Sequence, residues 1–243
     1  HHKTLVTFGI PESTLAKQIE PWEDALPEDI KLAYLPNPIV GVRLRLSTYG
    51  GVKDEEIRRI DTEFEKLREM LGDAIYGEGE DTLQIVIGKH LKNKGMTLSA
   101  AESCTGGKIA SLLTSVAGAS QYFYGSVTSY DNSIKENILG VPHEIIAQHG
   151  AVSQECVEAM AIGVNRVMNT DFAVATSGIA GPGGGSPEKP VGTAWLAVAY
   201  HDKTTGKDEV ISKKVAFNSS REVNIDRFAS NALNLLRLYL ESH

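Results

Sequence analysis

The sequence predicts an α/β protein in two parts: a small α+β unit, then a larger layered α/β unit. Three observations carry this reading. Short apolar runs bounded by Gly and Pro recur with amphipathic stretches at helical spacing along the whole chain. In the later part strands alternate with helices, the pattern of a sheet covered by helices. Between the two parts, the acidic and glycine-bearing Gly77-Glu78-Gly79-Glu80 reads as a linker. The expected domains are therefore residues 3–78 and 79–243.

Composition narrows the function classes. At 243 residues, 42% hydrophobic and 23% charged, the chain can bury a sizeable core. No apolar run approaches the roughly 18 residues of a membrane span, so no membrane partner is expected. A net charge of −7 argues against nucleic acid held by phosphate neutralisation. Cys104 and Cys156 form no disulfide framework, and a reducing cytoplasm is the expected compartment. The opening His1-His2-Lys3 reads as a tag remnant, is left out of the fold prediction, and suggests a piece of a longer protein.

In the first part, Leu5 to Phe8 predicts a strand and Pro11 to Ile19 a helix started by proline. Ile30 to Leu35 and Val40 to Leu46 predict two strands joined by Pro36-Asn37-Pro38. In the second of these, Val42, Leu44 and Leu46 point inward while Arg43 and Arg45 form a solvated face. Asp54 to Met70 predicts a long helix buried through Ile57, Ile60, Phe64 and Leu67. Residues 3–80 carry ten Lys/Arg against sixteen Asp/Glu and hold no Gly-x-x-Gly clamp, so this part is not expected to bind nucleic acid.

The second part starts with a helix over Asp81 to Lys94, where His90 reads as a helix-face residue. A strand over Met96 to Ala101 then meets the corner Glu102-Ser103-Cys104-Thr105-Gly106-Gly107, and a helix follows through Ile109, Leu112, Leu113 and Val116. Tyr122 to Tyr130 predicts a strand, and Asp131 or Asn132 caps a helix carrying Lys135. Ser153 caps a helix over Gln154 to Met168. Asp171 to Ser177 predicts a strand, Gly178 to Gly192 a long Gly/Pro loop, Thr193 to Tyr200 and Glu209 to Phe217 two strands, and Ser220 to Leu240 a final helix.

Chemistry concentrates at the first corner. Ser103, Cys104 and Thr105 are three adjacent nucleophile-capable side chains at a helix N-terminus, whose free N–H groups suit a phosphate or an oxyanion. A serine nucleophile needs a base, and no histidine stands out as its partner. Lys135 serves only if burial keeps it neutral; spacing alone favours an exposed helix lysine. The loop Gly178 to Gly192 suits close backbone approach to a ligand.

Other motifs fail on inspection. Gly106-Gly107-Lys108 lacks the first Gly and the final Ser/Thr of a Walker loop. Ser186-Pro187-Glu188-Lys189-Pro190 cannot open the helix a dinucleotide fingerprint needs. His143, Glu144 and His149 lack zincin spacing, and neither cysteine has a zinc-spaced partner, so no metal and no cofactor are expected.

Five separated motifs together resemble one family. They are Ala101-Glu102-Ser103-Cys104-Thr105-Gly106-Gly107; Ser129-Tyr130-Asp131-Asn132 with Lys135; Gln148-His149-Gly150-Ala151-Val152-Ser153; Ser177-Gly178-Ile179-Ala180-Gly181-Pro182 with Lys189-Pro190-Val191-Gly192-Thr193; and Arg221-Glu222 with Asn224. Over about residues 81–243 they resemble the C-terminal domain of the competence/damage-inducible protein CinA, which is also bacterial nicotinamide mononucleotide (NMN) deamidase. Residues 3–80 resemble the KH-type middle domain of full-length CinA. The resemblance implies a fused N-terminal molybdopterin-biosynthesis-like domain, absent here together with its ADP-ribose pyrophosphatase activity, and a homodimer.

For function, the resemblance implies hydrolysis of NMN to nicotinate mononucleotide and ammonia through a Ser/Lys acyl-enzyme. It makes Ser103 the nucleophile, Lys135 the general base, Tyr130 an assistant in proton transfer and Thr105 a further hydroxyl. Glu102, Gly106, Gly107, Asn132, Ser177, Gly178, Gly181, Gly183, Gly184 and Arg221 are the expected substrate-binding residues, with Gly181 to Gly185 and Arg221 nearest the phosphate. The competing reading is a binding module of a competence or DNA-damage protein that has lost its activity.

Overall fold

The two kinds of hydrophobic periodicity become two separate sheets in the computed structural model, which describes residues 1–242. The chain divides into compact units at His1–Val86 and from Ile87 onward.

The first unit runs β1 (His2–Thr7), α1 (Glu12–Glu23), β2 (Lys31–Asn37), β3 (Gly41–Ser47), α2 (Lys53–Leu71) and β4 (Ile75–Glu78). Its sheet is antiparallel throughout, in the order β2-β3-β1-β4. β3 alternates as expected, with Val42, Leu44 and Leu46 buried. They meet Leu15 and Ile19 of α1 and Ile60, Phe64 and Leu67 of α2 in one apolar core. The Trp22 indole at the edge of this core donates to the buried Glu63 carboxylate at 3.2 Å.

Two expectations fail here. His2 and Lys3 belong to β1, paired with Ser47 and Leu46 across β3. Gly77 and Glu78 are not linker but the end of β4, opposite Val6 and Leu5. Glycine and charge mark this segment as a loop by composition, yet strand pairing satisfies its backbone, and context overrides propensity. Arg43 is not simply solvated either, since it donates to the Gly79 carbonyl and the Glu80 carboxylate.

Helix α3 (Leu83–Lys94) carries the division between the units. Then follow β5 (Leu98–Glu102), α4 (Lys108–Thr114), β6 (Phe123–Thr128), α5 (Asn132–Asn137), α6 (His143–His149), α7 (Gln154–Met168), β7 (Phe172–Gly178), β8 (Thr193–Asp202), β9 (Lys207–Ala216) and α8 (Arg221–Ser242). The sheet order is β6-β5-β7-β8-β9. β5 runs parallel to both β6 and β7, whereas β8 and β9 return antiparallel.

This topology positions the site. Glu102, Thr128 and Thr176 are register partners near the carboxyl ends of three parallel strands. Their following turns therefore open at one edge of the sheet, where ligands bind in open α/β folds. Strand alternation supplies two packing faces. Ala173 and Ala175 of β7, with Ala197 and Ala199 of β8, form a flat floor for Val157, Met160, Ala161 and Val164 of α7. Phe172, on the other parity, meets the Tyr200 and Tyr239 rings, and Tyr239 belongs to α8. Ser153 caps α7 through the Cys156 amide, and Asp131, not Asn132, caps α5 through the Ser133 amide.

Close approach of α7 to the end of α5 fixes the segment bearing Lys135. A Cβ on Gly163 would stand 2.0 Å from the Leu139 carbonyl oxygen. Gly163→Ala is expected to push that backbone away and destabilise the fold by about 1–3 kcal/mol, the usual range for core overpacking. Denaturant unfolding measures the change.

Candidate active site

The corner after β5 is built on one carboxylate. Glu102 is fully buried, and its Oε2 accepts from Thr105 Oγ1 at 2.6 Å, Gly107 N at 3.1 Å and Ile109 N at 3.0 Å. Its Oε1 accepts from Ala110 N at 2.9 Å. These are the amides that a short helix start leaves without helical partners. Thr176 of β7 completes the corner, with its carbonyl accepting from Ser103 N at 3.0 Å and its hydroxyl 2.7 Å from Thr105 Oγ1.

This geometry corrects four expectations. Glu102, expected to bind substrate, turns its carboxylate oxygens inward, where they accept from Thr105, Gly107, Ile109 and Ala110. Thr105 is no free hydroxyl: it is buried and held between Glu102 and Thr176. Gly106 and Gly107 do not line the cavity described next, and the Gly107 amide is taken by Glu102. The helix-start donors expected to meet a ligand are satisfied by the protein itself.

Ser103 lines a cavity of about 270 Å³, together with Cys104, Tyr130, Asn132, Lys135, Ser177, Gly178, Gly181, Gly183, Gly184 and Arg221. Ten of the fourteen expected site residues therefore share one space with each other, from segments up to 118 positions apart. Of the three adjacent nucleophile candidates, the surroundings favour Ser103. Thr105 is occupied, and burial pushes the Cys104 thiol up to about 12, which leaves it protonated at neutral pH.

Lys135 is the unusual group. Its side chain is 1% exposed, contrary to the exposed lysine that spacing alone favours. Its Nζ donates to the Ser129 carbonyl at 2.7 Å and the Tyr130 carbonyl at 3.4 Å, not to a carboxylate. Burial pushes its pKa below the ordinary lysine value, with Cys156, Asp131 and Cys104 opposing. A buried amine without a bonded carboxylate sheds its charge more readily than one in water.

The mouth is clasped by Arg221, at the start of α8. Its guanidinium donates to the Gly181 carbonyl at 2.7 Å and to the Tyr130 hydroxyl at 3.1 Å. Tyr130 is 62% exposed and Asn132 is exposed, so both stand at the rim. Deeper in, Ser177 is buried and donates to the Ala151 carbonyl at 2.7 Å, which uses its hydroxyl for the wall.

Three residues without an expected role hold this site. Thr176 ties the corner to β7. Asn224, one turn after Arg221, donates to the Ala180 and Ser219 carbonyls, each at 3.0 Å. Lys189 donates to the His149 carbonyl at 2.7 Å, anchoring the far end of the glycine loop on α6. The spacing of Arg221 and Asn224 places both on one helical face, a signal available in the sequence. His90 lies 3.5 Å from Glu241, as a helix-face residue does. Among the described residues, no three His, Cys, Asp or Glu side chains gather as a metal site, and no helix is long and apolar enough to cross a membrane.

Comparison with known proteins agrees with both parts. The CinA C-terminal domain model matches residues 80–240, and the damage-inducible protein CinA KH domain model matches residues 2–77. A CinA-like protein of Flavobacterium psychrophilum is 46% identical over 236 residues, covering 97% of this chain and 55% of that protein. One from Cytophaga hutchinsonii is 42% identical over 240 residues, covering 99% of this chain and 56% of that protein. The chain thus spans a little over half the length of these relatives. Among solved structures, the competence/damage inducible protein CihA from Agrobacterium tumefaciens matches with a TM-score of 0.61 and 37% identity, over 65% of this chain and 93% of that one. A CinA superfamily protein from Klebsiella pneumoniae matches with a TM-score of 0.61 and 32% identity, over 66% and 97%. With both domain models matched in order and relatives above 40% identity along nearly its whole length, the chain belongs to the CinA family, as a KH-like domain followed by a CinA C-terminal domain.

Proposed function

We propose that the second unit is an amidohydrolase acting on NMN, releasing ammonia and nicotinate mononucleotide through an acyl-enzyme on Ser103. The observation that carries the reading is Lys135: a buried amine, hydrogen-bonded only to carbonyls, lining the cavity that Ser103 lines. Such a group has a lowered proton affinity and lines the same cavity as a serine, which supports its reading as the base a serine nucleophile needs.

Neutral Lys135 takes the Ser103 proton as Oγ attacks the carboxamide carbon. The tetrahedral oxyanion needs N–H donors. Those of Ser103, Gly106, Gly107, Lys108, Ile109 and Ala110 are committed to protein acceptors, so the amides of Cys104 and Thr105 are the candidates at this turn. The lysine ammonium then gives its proton to the carboxamide nitrogen as the C–N bond breaks, releasing ammonia, and water, deprotonated by the same amine, cleaves the ester. Arg221 supplies a cation at the mouth for the substrate phosphate, with Gly181, Gly183 and Gly184 offering backbone approach. Tyr130, bonded to that cation, sits where it can relay a proton.

The alternative, a binding module with a retired site, gives no reason to bury an amine in the cavity that Ser103 lines. Burial of a lysine without a carboxylate is unfavourable, and a site freed from catalysis has no need to retain it.

Ser103→Ala and Lys135→Met are each expected to lower ammonia release from NMN by roughly a thousandfold or more, as loss of a nucleophile or its base does elsewhere. A parent as inert as its variants in this assay would favour the binding module.

The proton balance sets two pH dependences. Activity requires neutral Lys135, so kcat/KM is expected to rise with pH, with its midpoint below the ordinary lysine value of 10.5. Stability follows the same group. The folded pKa is lowered, so between it and 10.5 the unfolded chain binds more protons, and folding becomes more favourable as pH rises. Below the folded pKa the destabilisation is full. The stability of Lys135→Met relative to the parent is therefore expected to be greatest below the folded pKa of Lys135 and to shrink toward pH 10.5. Thermal melts of both proteins across that range check the sign.

A further inference from the structure

We infer that Glu102 is the positioning residue of the Ser103 nucleophile, its buried carboxylate acting as an internal anion that sets the corner on which the serine is mounted. The inference rests on the hydrolase reading for what Ser103 does, and on separate geometry for how it is held.

A carboxylate removed from water is costly unless its lone pairs are filled. Glu102 is filled by three main-chain amides and one hydroxyl, all from residues 105–110 of the turn and helix that follow Ser103. Bonds from N–H to a carboxylate are among the stronger kinds in proteins. The corner is thus folded back around its own first residue, with Ser103 at the pivot.

The same network reaches β7. Thr105 has one hydroxyl proton, and the Glu102 oxygen at 2.6 Å takes it. The Thr176 hydroxyl at 2.7 Å must then donate to Thr105. Thr176 also accepts the Ser103 amide through its carbonyl. Ser103 is therefore fixed on both sides: covalently to the internal anion, and by hydrogen bond to the strand paired with it. Glu102 does not line the cavity, so its effect on reactivity runs through placement and not through contact with a ligand.

Glu102→Gln tests the idea. Its amide oxygen can retain the three bonds now made at Oε2 only by turning its NH₂ group onto the Ala110 amide, donor against donor. The pivot must shift. Misplacement of a reacting atom by about 1 Å costs roughly a hundredfold in rate. We expect kcat for NMN to fall by about that factor, with KM changed less than about threefold, because the groups at the mouth are untouched. We also expect labelling of Ser103 by a fluorophosphonate, a reagent that needs the reactive serine but not the NMN-binding groups, to slow by a similar factor. The pH midpoint set by Lys135 should stay in place.

Thr105→Val is the second variant, removing one donor and the link to Thr176, with a smaller loss of about tenfold expected in both assays. Circular dichroism and melting temperature establish that each variant is folded. A folded Glu102→Gln protein that labels at the parental rate overturns the inference. If Glu102→Gln does not fold, Thr105→Val decides: slower labelling supports the inference and parental labelling overturns it. A parent that labels on Ser103 but leaves NMN intact refutes the substrate while leaving the positioning claim to the labelling rates. A parent that neither turns over nor labels refutes both.

Discussion

An amine kept away from water and from any bonded carboxylate is the constraint around which the second unit is arranged. Lys135 hangs from a six-residue helix too short to place it alone. Asp131 caps that helix at one end, and the close passage of α7 beneath Leu139 fixes the other. The carbonyls of Ser129 and Tyr130 then accept its hydrogen bonds. Carbonyl acceptors orient the amine without stabilising its charge as a carboxylate does, so geometry and proton affinity are set by the same contacts.

The rest of the cavity follows from parallel pairing. β5, β6 and β7 end side by side, so the segments leaving them face each other without further instruction. One brings Ser103, one leads into Tyr130 and Lys135, and one opens into the glycine loop. Long loops at strand ends are entropically costly to order. Here the loop is fastened by side chains from outside it: Arg221 and Asn224 near its start and, from within, Lys189 to α6 near its finish. Two strands that return antiparallel extend the sheet and carry the α8 packing face without adding to the cavity.

Much of this was legible beforehand, and the gaps have physical causes. The alternation in β3, the caps at Asp131 and Ser153, and the helix–strand order of the second unit are local properties that a single sequence records. The β4 strand was not legible, because Gly77 and Glu78 pair through backbone that composition does not report. Spacing does not report the burial of Lys135 either, because a six-residue helix with one hydrophobic residue, Ile134, does not say which of its sides faces inward. The sequence puts Glu102 and Thr105 at the corner but does not show that they bond each other. Sequence shows that polar groups cluster, whereas only the fold shows that they satisfy one another.

Arg221 spans two chain segments that are otherwise unconnected, joining the Gly181 carbonyl to the Tyr130 phenol. Its acceptors are a carbonyl and a phenol, neither of them a carboxylate. Formation of the entrance is thereby coupled to the docking of α8 on the sheet, far along the chain from every other group there. A change deep in the C-terminal helix that rotated its first turn would open the doorway without touching a single reactive atom.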